Sequence, residues 1–142
     1  MSDQKYKFLS EPRRVVEDRR FGVGKGRYIA DYDHADMAHV ALLACHLPAA
    51  TIDDIDTSAA LAMPGVIDVV TGAELAAAIG PLMNGLDTPN VRRYPLAVGQ
   101  VRYAGEWVCA VIAESRAVGE DAAEKIRLQT TALPFVLDSE QA

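Results

Sequence analysis

Apolar residues fall into short runs broken by glycine, proline and charge, a rhythm that predicts brief strands and helices rather than long ones. Residues 1–20 have Pro12, several charges and no apolar period, so they predict an extended arm that gains order on a partner. After the turn signal of Gly22, Gly24 and Gly26, residues 26–31 (GRYIAD) and 37–45 (MAHVALLAC) predict two strands. The second is apolar at odd and even positions alike and is expected to be mostly buried. Residues 51–55 (TIDDI) predict a third strand with Ile52 and Ile55 inward.

Residues 58–63 predict a turn or two of helix stopped by Pro64 and Gly65, because proline cannot continue a helix. The strand VIDVV follows at 66–70. Thr71 and Glu74 have the Thr-x-x-Glu spacing of a capping box, which starts a helix that ends at Gly80 and Pro81. Three prolines and two glycines in the segment that follows, up to about Leu96, predict a loop, with residues 80–94 ordered mainly by a partner. Residues 101–114 (VRYAGEWVCAVIAE) predict strand, turn and buried strand. Ser115 then caps a helix with Val118, Ala122 and Ile126 on one face and an Asp121/Lys125 pair on the other. Gly119 inside it costs about 1 kcal/mol relative to alanine. A last strand over 126–132 ends at Leu133 and Pro134. The fold class is α/β (α+β), with short mixed strands, two or three short helices and no βαβ regularity.

The 142 residues are enough for one domain with one core, built mainly from aliphatic side chains since only 6% of residues are aromatic. A net charge of −6 argues against binding to nucleic-acid phosphates, and the basic residues near the start are interrupted by Glu11, Glu17 and Asp18. There is no apolar stretch of signal-peptide or membrane-spanning type, so no membrane partner is expected and a cytoplasmic location is. Cys45 and Cys109 sit in apolar runs and are expected as free, buried thiols.

Candidate chemistry is sparse. Gly22, Gly24 and Gly26 lack the spacing of a dinucleotide fingerprint and the Lys-Ser/Thr of a phosphate loop, and read as a turn. His34, His39 and His46 with Asp31, Asp33 and Asp36 supply metal-ligand chemistry, but His39 and His46 lie too far apart along one strand to share an ion. Cys45 and His46, adjacent on a strand, point to opposite faces and do not make a nucleophile and base. Glu106 lies beside Trp107, the only tryptophan, and a carboxyl group shielded by an aromatic ring suits acid-base work, though a glutamate in a turn explains it as well.

Taken together, residues 55–67 (IDTSAALAMPGVI), 71–75 (TGAEL), 95–97 (PLA), 101–114 and 120–124 (EDAAE) resemble a known domain. It is the amino-terminal α/β-hammerhead domain of the molybdopterin-binding large subunit of xanthine dehydrogenases, aldehyde oxidases and carbon monoxide dehydrogenases. Residues 24–31 echo its opening and residues 133–138 (LPFVLD) its exit, so the likeness runs over about residues 13–138. Two departures stand out. Residues 45–51 (CHLPAAT) replace the family's Ser-Pro-His-Ala-His-Ala-Arg, and Gly105-Glu106-Trp107 replaces its Gly-Glu-Pro.

The resemblance implies residues 1–20 as an arm, 21–138 as the hammerhead domain and 139–142 as a tail. It also implies that the family's cofactor contacts and its glutamate base lie in later domains, so no catalytic, cofactor-binding or metal-binding residue is carried over to this chain. The expectation is a non-catalytic subunit of a heteromeric molybdenum hydroxylase, formed by splitting the large subunit. Its partners would be a molybdopterin-binding catalytic subunit lacking this domain, an iron-sulfur subunit and an FAD subunit. The assembly would hydroxylate a carbon of an N-heteroaromatic or aldehyde with oxygen from water. The other reading is a free-standing α/β binding or regulatory module without a redox role.

Overall fold

The computed structural model describes residues 15–82 and 92–140. They fall into two compact units, divided between Ala35 and Asp36.

In the first unit, helix α1 (Asp18–Gly22) begins inside the stretch expected to be extended, so residues 18–20 are helical instead. The expected strand over 26–31 does not form. Its second half is a 3-10 turn, Ile29–Asp31, because the Asp31 carboxylate accepts a hydrogen bond from the Tyr28 amide at 2.8 Å and closes the chain on itself. Phe21 and Tyr28 stack with ring centroids 5.9 Å apart. A Cβ at Gly26 would lie 2.9 Å from the Phe21 ring, so a larger residue there would displace the ring. The glycine-rich stretch is therefore a turn that follows a helix, not a loop between a strand and a helix.

The second unit has strands β1 (His39–Ala44), β2 (Ala50–Asp56), β3 (Val66–Thr71), β4 (Gln100–Val101), β5 (Trp107–Ala113) and β6 (Arg127–Ala132). Helices α2 (Ser58–Leu61), α3 (Gly72–Ile79) and α4 (Arg116–Ala123) lie between them. Two antiparallel three-stranded sheets result, in the orders β1-β5-β3 and β4-β2-β6. The expected strand-turn-strand over 101–114 is divided between them, β4 joining one sheet and β5 the centre of the other.

The core is small-residue and aliphatic, with Val101, Val108, Cys109 and Val111 its largest fully buried side chains. Ile52 and Ile55 are half-buried against it. The capping box forms as the spacing predicts: Thr71 Oγ1 accepts from the Glu74 amide, and the Glu74 carboxylate accepts from the Thr71 amide at 2.8 Å. The Thr71 amide and hydroxyl, both donating to the Glu74 carboxylate, hold that carboxyl below its usual range. Gly72 permits a close approach, because a Cβ there would lie 1.9 Å from the Ala97 carbonyl oxygen. Ser115 caps α4 through the Val118 amide, but the ion pair on this helix joins Arg116 to Glu120 at 2.7 Å. The expected Asp121/Lys125 pair is not among the ion pairs of the described residues, and Lys125 lies past the helix end.

The strand β1 corrects another expectation. Only one of its faces is covered: Ala41 is buried, whereas Val40 is 61% and Leu42 40% exposed.

Candidate functional site

Helix α4 explains which face of β1-β5-β3 is covered. A Cβ at Gly119 would lie 3.1 Å from Ala41 Cβ and 3.6 Å from Ala113 Cβ, so the helix rests almost directly on these two strands. Strand alternation then puts Ala41, Val111, Ala113, Cys109 and Val69 on the helix side. Val40 faces Ile112, and Leu42 faces Ala110 and then Val70, in rows across the opposite side. Between the outer edge of β1 and α4 runs a groove of about 570 Å³.

The turn before β5 holds the carboxylate singled out by sequence. Glu106 accepts a hydrogen bond from the Arg102 amide at 2.6 Å, and its other oxygen is 3.9 Å from the Arg102 guanidinium. The carboxylate closes its own turn. Trp107 is half-exposed at the start of β5, and its carbonyl accepts from the Ala97 amide at 2.7 Å. Beside the turn lies a cavity of about 560 Å³ lined by Arg92, Arg93, Tyr94, Arg102, Tyr103 and Glu106, among others. Sequence reading passed over it because Arg92 and Arg93 sit in a segment read only as loop. The pairing of Arg93 with Leu82 in an isolated bridge is what brings them there. Its three guanidinium groups suit an anion or a carboxylate.

The other candidates stay apart. His39 and His46 flank β1, separated by about 20 Å of extended chain. Among the described residues no group of three His, Cys, Asp or Glu side chains is placed to hold a metal ion. Cys45 and Cys109 are free and buried. The Cys109 thiol donates to the Val70 carbonyl at 3.3 Å, and burial pushes its pKa up to about 11, the opposite of what a nucleophile or metal ligand needs. Asp53 accepts from Thr131 and Thr51 across β2 and β6, and these bonds hold its carboxyl below the usual range. No helix of the described residues is long and apolar enough to cross a membrane. Part of the loop 80–94 and the arm before residue 15 lie outside the described residues.

Comparison with known proteins identifies the domain. Residues 23–134 match the family model of the aldehyde oxidase and xanthine dehydrogenase a/b hammerhead domain, and the chain belongs to that family. It is 37% identical over 126 residues to the nicotine 6-hydroxylase large subunit of Paenarthrobacter nicotinovorans, covering 87% of this chain and 15% of that one. The carbon monoxide dehydrogenase large chain of Hydrogenophaga pseudoflava is 35% identical, with 86% and 15% covered. The structure of quinoline 2-oxidoreductase from Pseudomonas putida 86 superposes with a TM-score of 0.81 at 38% identity, over 89% of this chain and 16% of that one. The chain thus spans about 15% of the length of these relatives, and its α/β fold is that of their hammerhead domain.

Proposed function

We propose that this chain supplies the hammerhead domain of a molybdenum hydroxylase and contributes no catalytic group, docking on a separate chain that binds molybdopterin. The observation that carries the reading is the match of residues 23–134 to the hammerhead domain of oxidoreductase large subunits, in a domain where Glu106 and Glu74, two of its carboxylates, are tied into a turn and a helix cap.

The donor set of this chain does not fit a molybdenum or iron-sulfur centre: its thiols are buried, one with a raised pKa, and its histidines are dispersed. Molybdopterin, iron-sulfur clusters and FAD would sit on partner subunits, in a cytoplasmic assembly. Two relatives are named for N-heteroaromatic molecules, nicotine and quinoline, which favours carbon hydroxylation of a substrate of that class with water as the oxygen source.

The test is affinity purification of the tagged chain from its native host. The expected result is co-purification with a molybdopterin-binding chain that lacks this domain, together with iron-sulfur and FAD subunits. Recovery of the chain with no such partner, or with stoichiometric cofactor of its own, overturns the reading.

A further inference from the structure

We propose that the cavity beside the β5 turn is a binding site for a small organic anion of the phosphate-monoester class. The site stands independently of the component reading above and needs no residue of another chain.

The lining of this cavity differs in charge from the chain as a whole. Three guanidinium groups, those of Arg92, Arg93 and Arg102, meet one carboxylate, Glu106, so the cavity is net positive by two charges in a chain whose net charge is −6. Arg92 and Arg93 make no ion pair among the described residues, and Arg102 comes no nearer than 3.9 Å to Glu106 with its side chain half-exposed. Like charges gathered in one place repel, and an anion that accepts from the guanidinium forks would neutralise them.

Backbone bonds hold the walls in place. The Leu82 amide donates to the Arg93 carbonyl at 2.8 Å, and the Ala97 amide to the Trp107 carbonyl at 2.7 Å. On the other side the Gly105 amide donates to the Cys45 carbonyl at 2.7 Å, and the Glu106 carboxylate accepts from the Arg102 amide at 2.6 Å. Arg93 and Arg102 thus stand on fixed backbone, which lowers the ordering cost of binding.

Size and charge select the ligand. At about 560 Å³ the cavity falls in the range of small-molecule sites, roughly 300–1,000 Å³, and a single carboxylate side chain from another protein would leave most of it empty. A phosphate monoester carries about two negative charges near neutral pH and three terminal oxygens at one point, which matches the excess of two charges and the three forked donors. Tyr94, Tyr103 and Leu82 add phenol hydroxyls and apolar surface for the carbon body that bears the phosphate. Glu106 is the one lining group that opposes an anion. Its carboxylate repels the ligand and competes for Arg102, so glutamine in its place should give a gain of binding, which a merely structural role would not.

The test is titration of the full 142-residue chain with phenyl phosphate, inorganic phosphate and benzoate, read by calorimetry and amide chemical shifts. Phenyl phosphate should saturate the chain below about 10 mM and shift the amides of Leu82, Arg93, Arg102 and Tyr103. It should bind about tenfold more tightly than benzoate, which has the same ring and one charge, and at least about threefold more tightly than inorganic phosphate, which has no ring. Arg93→Gln and Arg102→Gln should each weaken it about tenfold, and both keep the backbone bonds that shape the cavity. Glu106→Gln should tighten it about threefold, and less in high salt. Arg116→Gln, on α4 and outside the cavity, should stay within about twofold of wild type. Should an arginine variant fail to fold by circular dichroism, Glu106→Gln and the wild-type shifts still decide. No saturation by phenyl phosphate, shifts confined to other surfaces, or affinities indifferent to Arg93 and Arg102 overturn the site. Benzoate or inorganic phosphate binding as tightly as phenyl phosphate, or no gain from Glu106→Gln, overturns the monoester assignment.

Discussion

The two faces of the β1-β5-β3 sheet are made of nearly the same material and meet different fates. Under α4 lie Ala41, Val111, Ala113, Cys109 and Val69, all buried, while on the other side lie Val40, Leu42, Ala110, Ile112 and Val70, none of them buried. Aliphatic side chains occupy both faces, so composition does not separate them. What separates them is a helix with a glycine at its point of closest approach. A strand apolar on both faces announces that both are destined for burial, and it does not announce that the same chain supplies both covers.

Truncations on the two sides should break or sustain that contrast most directly. Val111→Ala removes methyl groups from a fully buried site and should cost about 2–3 kcal/mol in urea unfolding of the chain, while Leu42→Ala should cost about 0.5 kcal/mol or less. Similar losses for both would mean the open face is covered within this chain.

A pH titration sharpens the same comparison from the covered side. Cys109 has its folded pKa raised from 9.0 to about 11 by burial, so the thiol's contribution is fully present below about pH 9 and is lost as pH climbs through 11. Relative to Cys109→Ala, the wild-type chain should lose about 2 kcal/mol of stability across that window. Parallel curves for the two proteins would show that the thiol is not shielded by the packing under α4.

The contact between helix and strand predicts a smaller, coupled effect. Gly→Ala in a helix ordinarily stabilises by about 1 kcal/mol, yet at Gly119 the new methyl would meet Ala41 Cβ at 3.1 Å, tighter than ordinary packing. Gly119→Ala should therefore destabilise by about 1 kcal/mol, and Ala41→Gly in the same chain should restore part of the loss, giving a coupling of about 0.5–1 kcal/mol. Additive effects would place the helix farther from the sheet than the structure has it.

These elements also mark where sequence reading succeeds and where it stops. The capping box at Thr71 and Glu74, the stop at Pro64 and Gly65 and the cap at Ser115 are local devices, complete within four residues, and they form where their spacing predicts. The strand expected over 26–31 fails for the same reason in reverse: a local bond from Asp31 to the Tyr28 amide outcompetes a short apolar alternation. β4, two residues long, is too short to carry a period, and its sheet is fixed by pairing with β2. The cationic cavity at Arg92, Arg93 and Arg102 escaped because it is assembled across a turn and a loop, with no motif to announce it. Gly119 was read as a helix-weakening residue, and only the distance to Ala41 shows why nothing larger fits there.

The smallest expected effect lies at Glu106, the residue whose sequence setting looked most like chemistry. Its carboxylate accepts the Arg102 amide and lies within ion-pair distance of the Arg102 side chain, which is itself half-exposed. Gln in its place still offers a carbonyl oxygen to the amide, and the lost pair, at 3.9 Å between a half-exposed guanidinium and a mostly covered carboxylate, is worth about 1 kcal/mol or less. Glu106→Gln should therefore leave the melting temperature of the chain nearly unchanged and the turnover of a fully assembled, cofactor-replete complex within a few-fold of wild type. Trp107 gives the contrasting readout, since its half-exposed ring has area to lose at a junction: Trp107→Ala should weaken assembly more than Glu106→Gln does, at unchanged turnover once assembled. Loss of a general base costs roughly 100-fold or more in rate. A rate collapse of that size in an intact Glu106→Gln complex would move the carboxylate from the turn it closes into the reaction itself, and with it would go the assignment of this chain as a component without a catalytic group.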